Sequence, residues 1–164
     1  MDVYEAVINK RDRREYDTGR KLPDAAVHRL LQAGRMAGTS SNKQQLRFVA
    51  VTDASTRDAL SQTAPGAAPI RNAPFAVVIL REDDARDFDV GRAAQNMMVV
   101  AEGEGLLSCP VGIRDTASAQ KTLGIPDGYV IDIVVCFGYP QADLPERESR
   151  PRLPLDDLVH YERW

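Results

Sequence analysis

Asp89-Val90-Gly91-Arg92-Ala93-Ala94-Gln95-Asn96-Met97-Met98-Val99-Val100-Ala101-Glu102-Gly103-Glu104-Gly105-Leu106 is the stretch around which the rest of the chain is organised. Apolar residues recur at 90, 93, 94, 97, 100 and 101, which is helical spacing. Met98 and Val99 widen the apolar side until only a strip of Arg92, Gln95, Asn96 and Glu102 stays polar. A helix of this kind is mostly buried. Gly91 and Gly103 each cost a helix interior roughly 1 kcal/mol relative to alanine, so the pattern predicts that another backbone passes close to them. Packing by a sheet, by other helices and by a second subunit would each fit, as would an ordinary core helix of a monomer.

Outward from this helix, composition sets the bounds. A chain of 164 residues, 43% hydrophobic and 27% charged, fits one domain, residues 1–164, with a core of useful size. A formal charge of -3 argues against general nucleic-acid binding, which needs a basic field to displace counterions from phosphates. Any anion site must be local. The longest unbroken apolar run, residues 75–80, is far short of the roughly 20 residues a helix needs to span a bilayer, so no membrane partner is expected. Cys109 and Cys136 stand far apart in sequence and have no metal spacing, and the first residues lack a signal peptide's basic and apolar regions. A reduced cytoplasm is the expected setting.

Upstream, Asp2 and Glu5 form a capping-box pattern, and Val3, Ala6 and Val7 give the first helix one apolar face. At its exit Lys10-Arg11-Asp12-Arg13-Arg14-Glu15-Tyr16 gathers four cations within five residues, suited to a helix C-terminus, to solvent or to a bound anion. Leu22-Pro23-Asp24 opens a second helix whose Val27, Leu30, Leu31 and Gly34 share a face, and the polar loop Ala37-Gly38-Thr39-Ser40-Ser41-Asn42-Lys43-Gln44-Gln45 follows it. Strands are expected at 48–51, 75–80 and 130–138, short helices at 55–63 and from the Asp115 cap to Leu123, and a Gly/Pro/Ala-rich connection at 64–74. Ser108-Cys109-Pro110-Val111-Gly112 is predicted to be a compact turn. Residues 139–164, charged and proline-rich with little periodicity, form an extended C-terminal arm in this reading, and Arg150-Pro151-Arg152 within it would complete an anion site if the arm met residues 10–14.

Taken together, the pieces resemble the FMN-dependent nitroreductase family over nearly the whole length. The family's early basic motif is matched by residues 10–16, its Ala-Pro-Ser-Ser-x-Asn-x-Gln-Pro-Trp loop by residues 37–46, and its Asp-x-Gly-x-Ala-x-Gln-Asn-Met helix by residues 89–97. Its glycine-leucine turn is matched by residues 105–112, and its end by Arg150-Pro151-Arg152-Leu153-Pro154 and His160-Tyr161-Glu162-Arg163-Trp164. The resemblance implies an α+β fold with a central, mainly antiparallel sheet flanked by helices, in an intertwined homodimer with an FMN at each of two interface sites. By analogy Lys10, Arg11, Arg150 and Arg152 would hold the FMN phosphate, with Asp12 beside it where the family has serine. Arg14 would lie near the pyrimidine edge, stabilising negative charge on the reduced ring. Thr39, Ser40 and Asn42 would come from the partner, and Pro110, Val111 and Gly112 would line the ring near N5. No side chain is expected to act as a catalytic nucleophile, because the flavin carries the electrons.

The implied activity is ping-pong: NAD(P)H reduces FMN and leaves, and a nitroaromatic or quinone-like acceptor takes the electrons. Alternatives are a non-catalytic flavin- or nucleotide-binding module, or a relative with dehalogenating or flavin-fragmenting chemistry. Departures from the family pattern are Asp12, and Gly38, Gln45 and Leu46 in place of proline, proline and tryptophan. With the short segment between Leu80 and Asp89, they predict an open site and weak FMN affinity.

Overall fold

The computed structural model describes residues 1–66, 68–144 and 151–164. Its centre is a four-stranded sheet in the order β1-β2-β4-β3, built from β1 (Leu46–Val51), β2 (Phe75–Glu82), β3 (Leu107–Val111) and β4 (Tyr129–Gly138), with every pair antiparallel. Around it lie α1 (Val3–Asn9), α2 (Asp24–Arg35), α3 (Ala54–Ser61), α4 (Ala68–Asn72), α5 (Asp87–Gly103) and α6 (Thr116–Leu123). The α+β architecture and the antiparallel sheet agree with expectation. Residues 75–80 are buried throughout because the two sheet faces carry separate cores: Ala76, Val78 and Leu80 pack with Leu60, Ile70 and Ala119, while Phe75, Val77 and Ile79 pack with Leu30, Met97 and Ala101.

The organising helix forms as α5, with Val90, Ala93, Ala94, Met97, Met98 and Ala101 buried and Arg92, Gln95 and Asn96 outside. The expected close backbone approach at Gly91 and Gly103 does not occur within the chain: a Cβ at either position would meet nothing within 4 Å. The tight contact is on the facing helix, where a Cβ on Gly34 of α2 would fall 2.0 Å from the Met97 methyl. There the missing side chain lets α2 settle against α5.

Three further expectations are revised. Residues 107–111 are a strand, not a turn. The Ser108 carbonyl is turned away from β4, accepting from Arg13 N–H at 3.0 Å, so alternation puts Cys109 in the hydrogen-bonded pair with Cys136 and turns the nitrogen of Pro110 away from β4. Proline therefore removes no ladder bond from this edge strand. The connection at 64–74 contains α4, with Pro69 near its start, where the missing N–H is not needed. And although the Asp2–Glu5 capping box forms, only Ala6 of α1 is buried; Val3 and Val7 are exposed, so the helix's apolar face is left open by this chain.

In β4, Asp132 is the extra residue of a bulge, since β2 steps from Ile79↔Ile133 to Leu80↔Ile131. The re-aimed carboxylate receives Arg81 Nε at 3.1 Å, and burial holds it above the usual carboxylate range. Residues 151–164 are exposed along their whole length, including Leu155, Tyr161 and a fully exposed Trp164.

Candidate active site

The basic segment at 10–16 runs along the outer side of β3. Asp12 and Ser108 form a parallel bridge, Arg13 N–H donates to Ser108 O, and Tyr16 bridges to Pro140. Tyr16 anchors the segment: its ring is buried against Gly138, and its hydroxyl donates to Cys136 O at 3.5 Å. Burial holds the phenol far above its normal pKa, so it stays neutral. Residues 12–14 are thereby held alongside Ser108 and Cys109, the residues that precede Pro110 and Val111 on β3.

Within this cluster the cations have separate tasks. Arg11 Nη1 donates to Ile8 O at 2.6 Å and to Lys10 O at 2.9 Å, closing the end of α1. Lys10 pairs with Asp12, so the acidic residue is neutralised by Lys10 rather than by the neighbouring arginines. Arg13 pairs with Glu15 at 3.2 Å, and the bond from Arg14 N–H, with a smaller share from Arg13, holds the Glu15 carboxyl below its ordinary range. Arg14 is different. Its Nε donates to Cys109 Sγ at 3.3 Å, and among the described residues no carboxylate lies within ion-pair distance of it. The sulfur favours the charged guanidinium, while burial pushes the Cys109 thiol up despite Arg14. Arg14 is thus an exposed cation fixed at its base by a neutral thiol, with its charge free for a ligand.

Cys109 is the contact that sequence reasoning missed. Its signal is strand register, which brings Cys109 and Cys136 opposite each other although 26 residues separate them between positions 110 and 135. Both are buried and free.

Gly112, just past the end of β3, is exposed, and a Cβ there would meet nothing within 4 Å. The space beside it is left open by the described residues of this chain. Thr39, Ser40 and Asn42 lie elsewhere, in the loop that leads into β1, at the opposite border of the sheet. Three strand spacings of about 4.8 Å put roughly 14 Å of sheet between β1 and β3. Arg152 is exposed in the terminal segment, and Arg150 lies outside the described residues. Groups able to hold a metal, three or more of His, Cys, Asp and Glu together, are absent among the described residues, and no helix there is long and apolar enough to cross a membrane.

A cation without a carboxylate partner among the described residues stands beside an open, glycine-ended strand. The Nitroreductase family model matches residues 7–87 and 63–139. The chain belongs to the nitroreductase family. It is 28% identical over 183 residues to the NADPH-flavin oxidoreductase of Vibrio harveyi, covering 99% of this chain and 75% of that protein. The structure of NADPH:FMN oxidoreductase from Vibrio harveyi complexed with NAD+ superposes with a TM-score of 0.87 at 26% identity, over 99% of this chain and 77% of that one. Nitroreductase A from Vibrio parahaemolyticus gives a TM-score of 0.88 at 25% identity, over 100% and 77%. This nitroreductase has the family's antiparallel sheet flanked by helices.

Proposed function

We propose that this nitroreductase works as a homodimer holding one FMN at each of two sites, each site built from both subunits. It is an NAD(P)H-dependent flavin oxidoreductase, and nitroaromatic or quinone-like compounds are its acceptors in a ping-pong cycle. The observation that carries this reading is Arg14, exposed, held by Cys109 and unpaired with any carboxylate among the described residues, next to the open backbone at Gly112.

The residues fit the cofactor. Arg14 would sit at the pyrimidine edge of the ring, and Pro110, Val111 and Gly112 would line it without a side chain in the way. The phosphate would take Lys10 and Arg11, joined by Arg150 and Arg152 of the terminal segment. Asp12 occupies Lys10 in the free chain, and that pair must open or share its charge with the phosphate. FMN supplies the two-electron chemistry, accepting from NAD(P)H and giving to the acceptor. The chain binds, orients and places positive charge where negative charge develops.

Thr39, Ser40 and Asn42 belong to the same site only if a second copy brings its β1 border to this chain's β3 border. Support for that copy comes from apolar surface left uncovered: Val3, Tyr4, Val7 and Ile8 of α1, Met36 and Phe88, and the terminal Leu155, Tyr161 and Trp164. The buried, unpaired thiols are in keeping with a reducing cytoplasm.

The test is the visible absorption spectrum of the purified protein with added FMN and excess removed, then anaerobic NAD(P)H, then a quinone. A yellow protein that bleaches and recovers on quinone addition is expected. A protein that remains colourless would overturn the reading. One that bleaches but never recovers with a quinone or nitroaromatic would remove the proposed acceptors.

A further inference from the structure

The loop at 37–45 holds three non-glycine residues in the left-handed region: Ser41 at φ 50°, Asn42 at 54° and Gln44 at 54°. Such conformations cost about 1–3 kcal/mol each and persist only where the surroundings impose them. Inside the loop, Gln44 N–H donates to Thr39 Oγ1 at 3.0 Å, Asn42 N–H to Thr39 O at 3.0 Å and Lys43 N–H to Ser40 O at 3.1 Å. At its exit, Gln45 Nε2 donates to Asp84 Oδ1 at 2.7 Å and Glu82 Oε2 at 3.2 Å, and Glu82 N–H to Gln45 O at 3.1 Å. At its entry stands Arg92 of α5, whose Nη1 donates to Gly38 O at 2.6 Å.

Gly38 is what admits that bond. A Cβ there would lie 2.5 Å from Arg92 Nη2 and 3.0 Å from Nη1, so the guanidinium occupies the space that any other residue's side chain would need. The buried Asp89, one turn earlier on α5, lies 3.9 Å from Nη1 and biases the guanidinium toward the helix. Two departures from the family's loop pattern, glycine at 38 and glutamine at 45, are therefore the two ends of the fastening.

We propose that Arg92 is a positioning residue for the flavin site: with Gly38 and Asp89 it clamps the loop in its strained shape, so that Thr39, Ser40 and Asn42 are presented ready-made to the partner's FMN. This deepens the proposed function and rests on that reading for its consequence in cofactor binding. A loop fixed beforehand loses little freedom when ligand arrives, so the clamp acts on FMN affinity. Arg92 itself touches no reacting atom in this account.

The experiment compares wild type with Arg92→Ala, Arg92→Lys, Gly38→Ala and the double variant Arg92→Ala/Gly38→Ala. Two readouts are taken: hydrogen exchange of the 39–45 amides in FMN-free protein, and the FMN dissociation constant by fluorescence quenching. Either alanine alone should speed exchange in the loop and weaken FMN binding roughly 10-fold, on the scale of one charge-assisted hydrogen bond. Lysine at 92 should restore part of both. The double variant should be no worse than Arg92→Ala, because Gly38→Ala acts only by displacing the guanidinium. Gly38→Ala keeps the test open should Arg92→Ala fail to fold, since Gly38 is not in the left-handed region. Additive effects of the two alanines, or unchanged exchange in all variants, would overturn the clamp. If wild type binds no FMN, the functional reading fails while the exchange data still decide the clamp.

Discussion

The two borders of the sheet are finished in opposite ways. Outside β3 the chain's own residues 12–14 run alongside, tied by the Asp12–Ser108 bridge and by Arg13 N–H on Ser108 O, with Arg14 standing on Cys109. Outside β1 no strand pairs among the described residues, and a polar loop with three left-handed residues leads into it. One border carries charge on a rigid base; the other carries hydroxyl and amide groups in a strained loop. In the proposed site each supplies one half, and within one chain the sheet keeps the two apart. That asymmetry is why a second copy belongs in the account: a two-fold arrangement lets each open border meet the other chain's charged one.

Removing the charge from the β3 border should have the largest effect. Arg14→Ala is expected to lower kcat/KM for NAD(P)H-dependent quinone reduction by about 10- to 100-fold, the scale of a lost charged hydrogen bond. Arg14→Lys should recover little of it, since an ammonium cannot both hold the Cys109 sulfur and reach the ring. Recovery to wild-type rates by lysine would reduce Arg14 to a point charge.

Beneath the β1-border loop, Gly34→Ala should drive a methyl into Met97 and cost about 1–3 kcal/mol in a denaturant melt, lowering the midpoint with little change in slope. An unchanged midpoint would mean that the α2–α5 contact is looser than described.

Asp12→Ser sharpens the comparison from the other side. It frees Lys10 from its ion pair, so FMN should bind several-fold more tightly in fluorescence titration, by about the energy of a charge pair near a surface. Weaker binding would show that Asp12 instead positions Lys10.

Furthest from both borders and smallest is Asp53, the N-cap of α3, whose carboxylate accepts from Thr56 N–H, Ser55 and Thr56 hydroxyls. Those bonds, the Ser55 hydroxyl first, hold its pKa down to about 2 from an ordinary 3.8. A depressed carboxylate stabilises the fold above pH 4 and loses that contribution as pH falls toward 2. Asp53→Ala should therefore melt a little earlier than wild type at pH 7, and the gap should narrow as pH falls from 4 toward 2. A gap that persists unchanged into acid would assign the effect to packing.

Much of the layout is legible in the sequence. The period of α5, the unbroken apolar run of β2 and the Asp2 and Asp115 caps are local signals, and local bonds decide them. β3 was misread because Pro110 and Gly112 look like punctuation; a proline whose nitrogen faces outward on an edge strand leaves no mark in a linear pattern. The role of glycine was misassigned for the same reason. Gly91 and Gly103 stand out among alanines, yet it is Gly34 and Gly38 that make room, for Met97 and Arg92 from a helix more than fifty residues on. The Arg14–Cys109 contact likewise depends on register between distant segments. What tertiary pairing decides, spacing along one element cannot show.

The central claim, that one flavin site takes its charge from one subunit's β3 border and its loop from the other's β1 border, is tested most directly by mixed dimers. Arg14→Ala and Asn42→Ala proteins, each impaired alone, are unfolded together, refolded one to one and assayed for NAD(P)H-dependent quinone reduction. Half the dimers then pair unlike chains, and each of these holds one site with both Arg14 and Asn42 intact, so activity should rise to about a quarter of wild type. A mixture no more active than the mean of the two variants, with exchange of subunits verified, would place Arg14 and Asn42 in the same chain's site and contradict the account.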